Sequence, residues 1–286
     1  MKSIANIRAD FRKRLLEGPP LVAMGAFDAF SAKLIQHAGF EAAYVGSYGV
    51  AASRGTPDVG LLTMEELVVA VASVAQAVDI PVIADGEGGF YNAANLWRAV
   101  NMYESSGACA IHIDDHESGK HSDLPRRVIP LNDMLYKLKA ALEARHDPNF
   151  LIIGRTDAAW ASGNIEDAVE RMVAFAQTGA DAVMGMSMTV RQLAEVRERI
   201  PAKVVILNAE SATHQQEAAA GADLTIYHSF CLYAAVYGVQ SALSAFKTNM
   251  TITDAKCCLA SESSVEGLLD YVGFNERGQR YGMSQP

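Results

Sequence analysis

Pro81-Val-Ile-Ala-Asp-Gly-Glu-Gly-Gly-Phe-Tyr91 is a short apolar, β-branched run that ends in an acid, Asp85, and meets a second acid, Glu87, two residues later. The glycine pair that follows marks a tight turn. Bounded by Pro and Gly, the run reads as a buried strand. A carboxylate delivered at the end of a buried strand is costly unless a cation compensates it, and the usual compensators are a metal ion or an arginine. Cys109-Ala-Ile-His-Ile-Asp-Asp115 repeats the pattern, ending in Asp114 and Asp115. Two neighbouring strands that finish in carboxylates point to a divalent-metal site at one end of a sheet.

Outward from this pair, the chain repeats one unit: a helix that ends at a small residue and glycine, then a short apolar strand. The junctions are Ala38-Gly39-Phe40, Ser106-Gly107-Ala108, Thr178-Gly179-Ala180 and Ala220-Gly221-Ala222. Glycine is expected there because the residue after a helix takes the left-handed conformation, which costs glycine nothing sterically. Strands are expected near 21–25, 42–46, 81–85, 109–114, 150–155, 181–186, 203–208 and 223–228. Amphipathic helices are expected over 29–38, 64–77, 95–103, 131–144 and 165–177. Alternating strand and helix predicts parallel pairing. Eight such pairs predict a closed (β/α)8 TIM barrel, preceded by an extra N-terminal helix over 5–17 with Ile7, Phe11 and Leu15 on one face. An open doubly wound sheet is the competing fold, but it needs a glycine-rich phosphate turn after its first strand, and Gly25-Ala-Phe-Asp28 is not one. No linker divides the chain, so residues 1–286 read as a single domain. The C-terminal part reads as a last barrel helix over 230–246, a polar stretch and a helical piece near 264–271.

The 286 residues are 50% hydrophobic and 20% charged, with a formal net charge of −9, which argues against nonspecific binding to nucleic acid. No segment has the uninterrupted apolar length of a signal peptide or a membrane span. The four cysteines (Cys109, Cys231, Cys257, Cys258) lack metal-site spacing, and adjacent Cys257 and Cys258 are a poor disulfide pair, so a reduced, cytoplasmic protein is expected.

Residues able to do chemistry gather at or just past the strand C-termini: Ser47 and Tyr48, Asp85 and Glu87, Asp114, Arg155, Asn208 and Glu210, and His228. Solvated charges would scatter over helix faces instead. Asp85, Glu87 and Asp114 form a hard, all-oxygen set suited to Mg2+ or Mn2+. Arg155, closing Phe150-Leu-Ile-Ile-Gly-Arg155, suits a carboxylate or phosphonate held by two hydrogen bonds, or else pairs structurally with Asp114 or Asp157. His112 shares the barrel-facing side of its strand with Asp114, either in the site or as a buried neutral histidine. The stretch 115–130 is too long for an ordinary connection and lies on the catalytic face of a barrel.

These motifs resemble the phosphoenolpyruvate mutase/isocitrate lyase superfamily over about residues 21–237. Val82-Ile-Ala-Asp-Gly-Glu-Gly-Gly-Phe90 is similar to the family's metal motif, and His112-Ile-Asp-Asp115 to its acidic pair. Thr56-Pro-Asp-Val59 resembles the loop carrying the family's aspartate after the second strand, Lys120 matches the gating-loop lysine, and Arg155-Thr-Asp-Ala158 the substrate-binding arginine. The resemblance implies a small-molecule carboxylic acid substrate handled as a 2-oxo acid enolate on Mg2+ (or Mn2+). In it Asp85, Glu87 and Asp114 hold the metal. Tyr44, Ser47, Tyr48, Asp85, His112, Arg155 and Asn208 contact the substrate, while Asp58, Lys120, His121, Ser122 and Arg155 are the catalytic candidates. The 115–130 loop closes over the site. The family commonly exchanges its last helices between subunits, which implies a homo-oligomer, a dimer or tetramer. No nucleic-acid or membrane partner is implied.

His112 before the acidic pair, Arg155-Thr-Asp and Trp97-Arg98 resemble the carbon–carbon lyases of the superfamily. The lyase gating loop, however, reads Lys-x-Cys-Gly-His, whereas this chain has Lys120-His-Ser-Asp123 with Ser122 at the cysteine position. A serine hydroxyl is too weak an acid for that role, and His121 is the expected replacement. The mutase asparagine is absent as well, Met186 stands where lyases place a glutamate, and Gly46-Ser47-Tyr48 is bulkier than the family's usual turn. Glu87 is longer and Asp114 shorter than the usual acids. These departures predict a lyase for a substituted malate-like or isocitrate-like acid. The alternatives are a phosphoenolpyruvate mutase or phosphonopyruvate hydrolase, an oxaloacetate decarboxylase, and a non-catalytic 2-oxo acid binder.

Overall fold

The computed structural model describes residues 2–117, 120–208 and 211–283. Eight strands, β1 (Leu21–Gly25), β2 (Ala42–Val45), β3 (Val82–Asp85), β4 (Ala110–Asp114), β5 (Leu151–Thr156), β6 (Ala182–Gly185), β7 (Lys203–Leu207) and β8 (Leu224–Tyr227), pair in parallel in chain order. β8 returns to β1 through Leu21↔Leu224 to Met24↔Tyr227, closing the barrel. Helices Met64–Ala77, Leu131–Ala144 and Ile165–Gln177 lie where the apolar periodicity puts them. The helix expected from residue 95 begins instead at Trp97, because Asn92 accepts from the Asn95 amide and caps a preliminary 3-10 turn. Gly39, Gly107, Gly179 and Gly221 all take positive φ, between 85° and 98°, as expected for residues that end helices.

Strand alternation separates two apolar layers. Inward residues such as Leu21, Ala23, Ala42, Ile83, Leu151, Ile153, Met184, Val205 and Ile226 fill the barrel, and Ile7, Phe11 and Leu15 of helix Ile4–Glu17 join them. The outward layer, including Val45, Val82, Ala84, Ile111, Ile113, Ile152 and Val183, packs with Leu67, Val71, Leu138, Val169 and Phe175 of the surrounding helices. The same alternation turns Tyr44, Asp85, His112, Asp114 and Arg155 to the interior. Parallel register sets Asp85 beside His112 and Asp114 beside Arg155.

The barrel unit runs to Cys231, and a second compact unit begins at Leu232. The second unit contains most of helix Phe230–Asn249 and the short helices Ile252–Ala255, Glu262–Glu266 and Tyr271–Arg280. The single helical piece expected near 264–271 is thus split in two, the first ending at Glu266. Among the described residues no helix is long and apolar enough to cross a membrane.

Candidate active site

At the C-terminal end of the barrel, Asp85, Glu87 and Asp114 each present a carboxylate oxygen, and these atoms lie within 4.8 Å of one another. β3 delivers Asp85 and β4 delivers Asp114; the turn after β3 delivers Glu87. Gly86 lets that turn lie against β4, since a Cβ there would come within 2.6 Å of the His112 carbonyl oxygen. Glu87 and Phe90 take positive φ, 51° and 60°, which costs a side-chain-bearing residue roughly 1–2 kcal/mol each. Backbone strain of this kind persists where the surroundings impose it, commonly at functional sites. Here the impositions are visible: the Asp85 carboxylate accepts from the Glu87 amide at 2.9 Å, the Asp114 amide donates to the Glu87 carbonyl at 2.8 Å, and Lys137 donates to the Gly88 carbonyl at 2.7 Å.

Asp85 also accepts from the Ser47 hydroxyl (3.1 Å), the Ser47 amide (3.2 Å) and the Tyr44 hydroxyl (3.3 Å). Burial pushes its carboxyl upward, but His112, Lys120 and Arg155 outweigh that and hold it below the usual carboxylate range. Glu87 goes the other way: burial first, and then the Asp85 charge, push it up to about 7 against the pull of Lys120. Both carboxylate oxygens of Asp114 are buried, and among the described residues neither has a hydrogen-bond partner. The Lys120 ammonium contacts Glu87 and lies 3.6 Å from Asp114. Burial disfavours its charge, but Asp85, Asp114 and Glu87 raise its pKa well above that of an ordinary lysine.

Tyr44 shares a 3.0 Å hydrogen bond with His112 Nε2, and the two rings stack. Burial lowers the His112 pKa, with Asp85 opposing. Burial and Asp85 raise the Tyr44 hydroxyl well above its ordinary value. On β5, the Arg155 Nε and Nη2 edge is occupied by Asp157, at 2.8 and 3.1 Å, so the structural pairing anticipated for this arginine is present. Arg155 nevertheless lines the central cavity.

That cavity, about 260 Å³, takes in Tyr44, Ser47, Tyr48, Asp58, Asp85, Lys120, His121 and Arg155 from the sequence candidates. Ser47 holds Asp58 at 3.1 Å, and His121 Nε2 stands 3.6 Å from the same carboxylate. Ser122 accepts from the Leu124 amide and is not part of the cavity wall, while Asn208 lies in the adjoining cleft with Ser211 and Met186. Glu210 lies outside the described residues. Sequence reasoning did not find Arg126 and Trp160, which also line the cavity. Trp160 sits in a short helix, Ala158–Ser162, too brief to leave a periodic signal. The stem of the 115–130 loop is zipped by Ile129 N to Asp115 O (2.8 Å) and Glu117 N to Arg127 O (2.9 Å). Arg171 pins it, donating at 3.1 Å to the Asp115 carboxylate and at 3.0 Å to the Ile129 carbonyl.

A family model described as phosphoenolpyruvate phosphomutase matches residues 11–247. The chain is 33% identical over 285 residues to 2,3-dimethylmalate lyase of Eubacterium barkeri, covering 96% of this chain and 98% of that one. It is 30% identical over 274 residues to 2-methylisocitrate lyase of Shewanella oneidensis, covering 93% and 92%. Among solved structures, phosphoenolpyruvate phosphomutase from Streptomyces platensis subsp. rosaceus superposes with a TM-score of 0.90 at 27% identity, over 96% of this chain and 99% of that one. Phosphonopyruvate hydrolase complexed with oxalate and Mg2+ superposes with a TM-score of 0.89, also at 27% identity and over 96% and 99% of the two chains. With the family model spanning most of the sequence and with malate- and isocitrate-type lyases among its relatives, this chain belongs to the phosphoenolpyruvate phosphomutase family and is a lyase of the phosphoenolpyruvate mutase/isocitrate lyase superfamily.

Proposed function

We propose that the enzyme is Mg2+-dependent and cleaves a substituted malate-like 2-hydroxy acid into a 2-oxo acid and a second carboxylic acid. The observation that carries this reading is the convergence of Asp85, Glu87 and Asp114 within 4.8 Å, with both Asp114 oxygens buried and, among the described residues, lacking hydrogen-bond donors. Such a set fits a hard divalent cation, Mg2+ or Mn2+, whose contribution when bound is Lewis-acid stabilisation of charge on the substrate's C2 oxygen.

The chain's own groups supply the rest. Arg155 and Ser47 orient the carboxylate next to C2. The Tyr44–His112 pair, joined by a 3.0 Å hydrogen bond between the phenol oxygen and Nε2, takes up the C2 hydroxyl proton. As C2 becomes a carbonyl, the C2–C3 bonding pair moves onto the departing acid as an enolate. His121, steadied by Asp58, returns a proton to C3. Lys120, kept protonated, offsets the accumulated negative charge, and the loop that carries it excludes water. A hydrolytic reading has one observation in its favour: Asp58, buried and held by Ser47, is placed to orient a water.

The test is a screen of malate derivatives, oxaloacetate and phosphonopyruvate with Mg2+, followed by NMR. Release of pyruvate or glyoxylate from a malate derivative, abolished by EDTA, is expected. Phosphonopyruvate turnover in the phosphorus spectrum would establish the mutase or hydrolase alternative, oxaloacetate decarboxylation the third, and binding without product a non-catalytic protein. We place the enzyme in the cytoplasm on its four free thiols. We also propose a homo-oligomer, a dimer or tetramer, because the C-terminal unit exposes Tyr237, Leu243, Val272 and Phe274; a monomer by light scattering would reject it.

A further inference from the structure

The cavity wall has two chemically different arcs. One is Asp85, from the acid set, with Ser47, Tyr44, Lys120 and Arg155. The other runs through ring contacts: the Arg126 guanidinium lies 4.3 Å from the centroid of Trp160, His121 contacts the same indole at 5.4 Å, and Tyr48 contacts His121 at 5.6 Å. The cations of the first arc are already matched. Asp157 occupies one edge of Arg155, while Glu87 and Asp114 face Lys120. Arg126 differs. Among the described residues no carboxylate pairs with it, and its Nε makes a single long hydrogen bond, 3.4 Å, to the Lys120 carbonyl.

We infer that Arg126, seated on Trp160, receives the second carboxylate of the substrate, the one distant from the metal-site acids, and so selects dicarboxylic malate-type acids over monoacids. This inference rests on the lyase reading above and specifies its substrate class. A cavity of about 260 Å³ lies just below the usual span of small-molecule pockets, roughly 300–1,000 Å³, so it suits a compact acid. A second carboxylate brought into it loses hydration and needs a cation in return. The indole face holds the guanidinium in position beforehand, and its two Nη groups are the donors that a carboxylate takes in pairs. Arg126 shares its loop with Lys120 and His121. A substrate long enough to reach it therefore also draws in the residues assigned to charge balance and proton return.

Calorimetry in the presence of Mg2+ tests this with two probes. Oxalate fills only the metal-side arc; malate adds the distant carboxylate. In Arg126→Gln, malate affinity should fall at least tenfold while oxalate affinity stays within about twofold, the tenfold loss corresponding to about 1.4 kcal/mol. Arg126→Lys should recover part of the malate affinity, which a merely structural role for the side chain does not predict. Equal losses for both probes, or no loss for malate, would overturn the inference. Wild-type protein that binds neither probe with Mg2+ would overturn the lyase reading itself and this inference with it, a result separable from a failure confined to Arg126.

Discussion

The Lys120 ammonium stands 3.6 Å from the Asp114 carboxylate and in contact with Glu87. The loop that borders the cavity thus brings a cation onto the same acids that are proposed to hold Mg2+. At an effective dielectric near 20, unit charges about 4 Å apart interact by about 4 kcal/mol, so ammonium and dication must share the attraction of these carboxylates. Lys120→Gln is expected to tighten Mg2+ binding about tenfold or more in the absence of substrate, yet lower kcat at least 10²-fold because charge balance in the loaded site is lost. Calorimetric titration with Mg2+ alone separates the two effects. Unchanged or weaker Mg2+ binding would show that the lysine and the metal do not share their acids.

The acid set also predicts a pH dependence. Burial and Asp85 push Glu87 up to about 7, from an ordinary value of 4.5. Between those limits the folded, metal-free protein binds a proton that the unfolded chain has lost. A native state that binds more protons loses stability as pH rises through that window, so metal-free stability should decline from about pH 4.5 to about pH 7 on this account. Mg2+ has to displace the same proton. Its affinity should therefore climb as pH rises toward about 7 and level off above, with proton release detectable from the buffer dependence of the binding enthalpy. Flat affinity with no proton released would count against Glu87 as a ligand.

Most of this site was legible in the sequence because a parallel barrel converts strand ends into a single face. Asp85, Asp114 and Arg155 each close an apolar run, and once the strands pair in order their side chains must converge, as the Asp85↔His112 and Asp114↔Arg155 registers show. The junction glycines gave the strand starts for a similar local reason, since only one backbone conformation ends those helices. Arg126 and Trp160 escaped because nothing local distinguishes them. Arg126 is one basic residue of a polar loop, and its proposed role depends on the distant Trp160 indole. The Arg155–Asp157 pairing was only one of two options from sequence, because strand alternation places both residues on one face without fixing which acid the guanidinium meets.

His121 and Ser122 are adjacent in sequence, but only His121 lines the cavity, 3.6 Å from Asp58. His121→Ala should cost about 10²-fold or more in kcat, and Ser122→Ala little. Burial lowers the His121 pKa below 6.5, with Asp58 opposing, so the protonated acid is lost early as pH rises. The alkaline limb of kcat/KM should accordingly begin below about 6.5 in the free enzyme and disappear in the alanine variant. An unchanged rate for His121→Ala, or a large loss for Ser122→Ala, would transfer the proton to another donor.

Asp157 is fully enclosed and is bound to both Nε and Nη2 of Arg155. Its own amide donates to Asp115 at 2.9 Å, and Asp115 anchors the loop stem through Arg171. Removing Asp157 leaves the Arg155 guanidinium buried with no bidentate partner, a change that typically costs about 3–5 kcal/mol. Asp157→Ala should therefore lose stability on that scale in chemical denaturation. Its oxalate affinity with Mg2+ should fall as well, because the guanidinium is no longer held toward the cavity. Asp157→Asn retains a hydrogen-bond acceptor of the same shape, so it should keep more of the stability and more of the affinity. If the alanine variant were as stable as the parent and bound oxalate equally well, the pairing would be incidental and Arg155 would be oriented by something else.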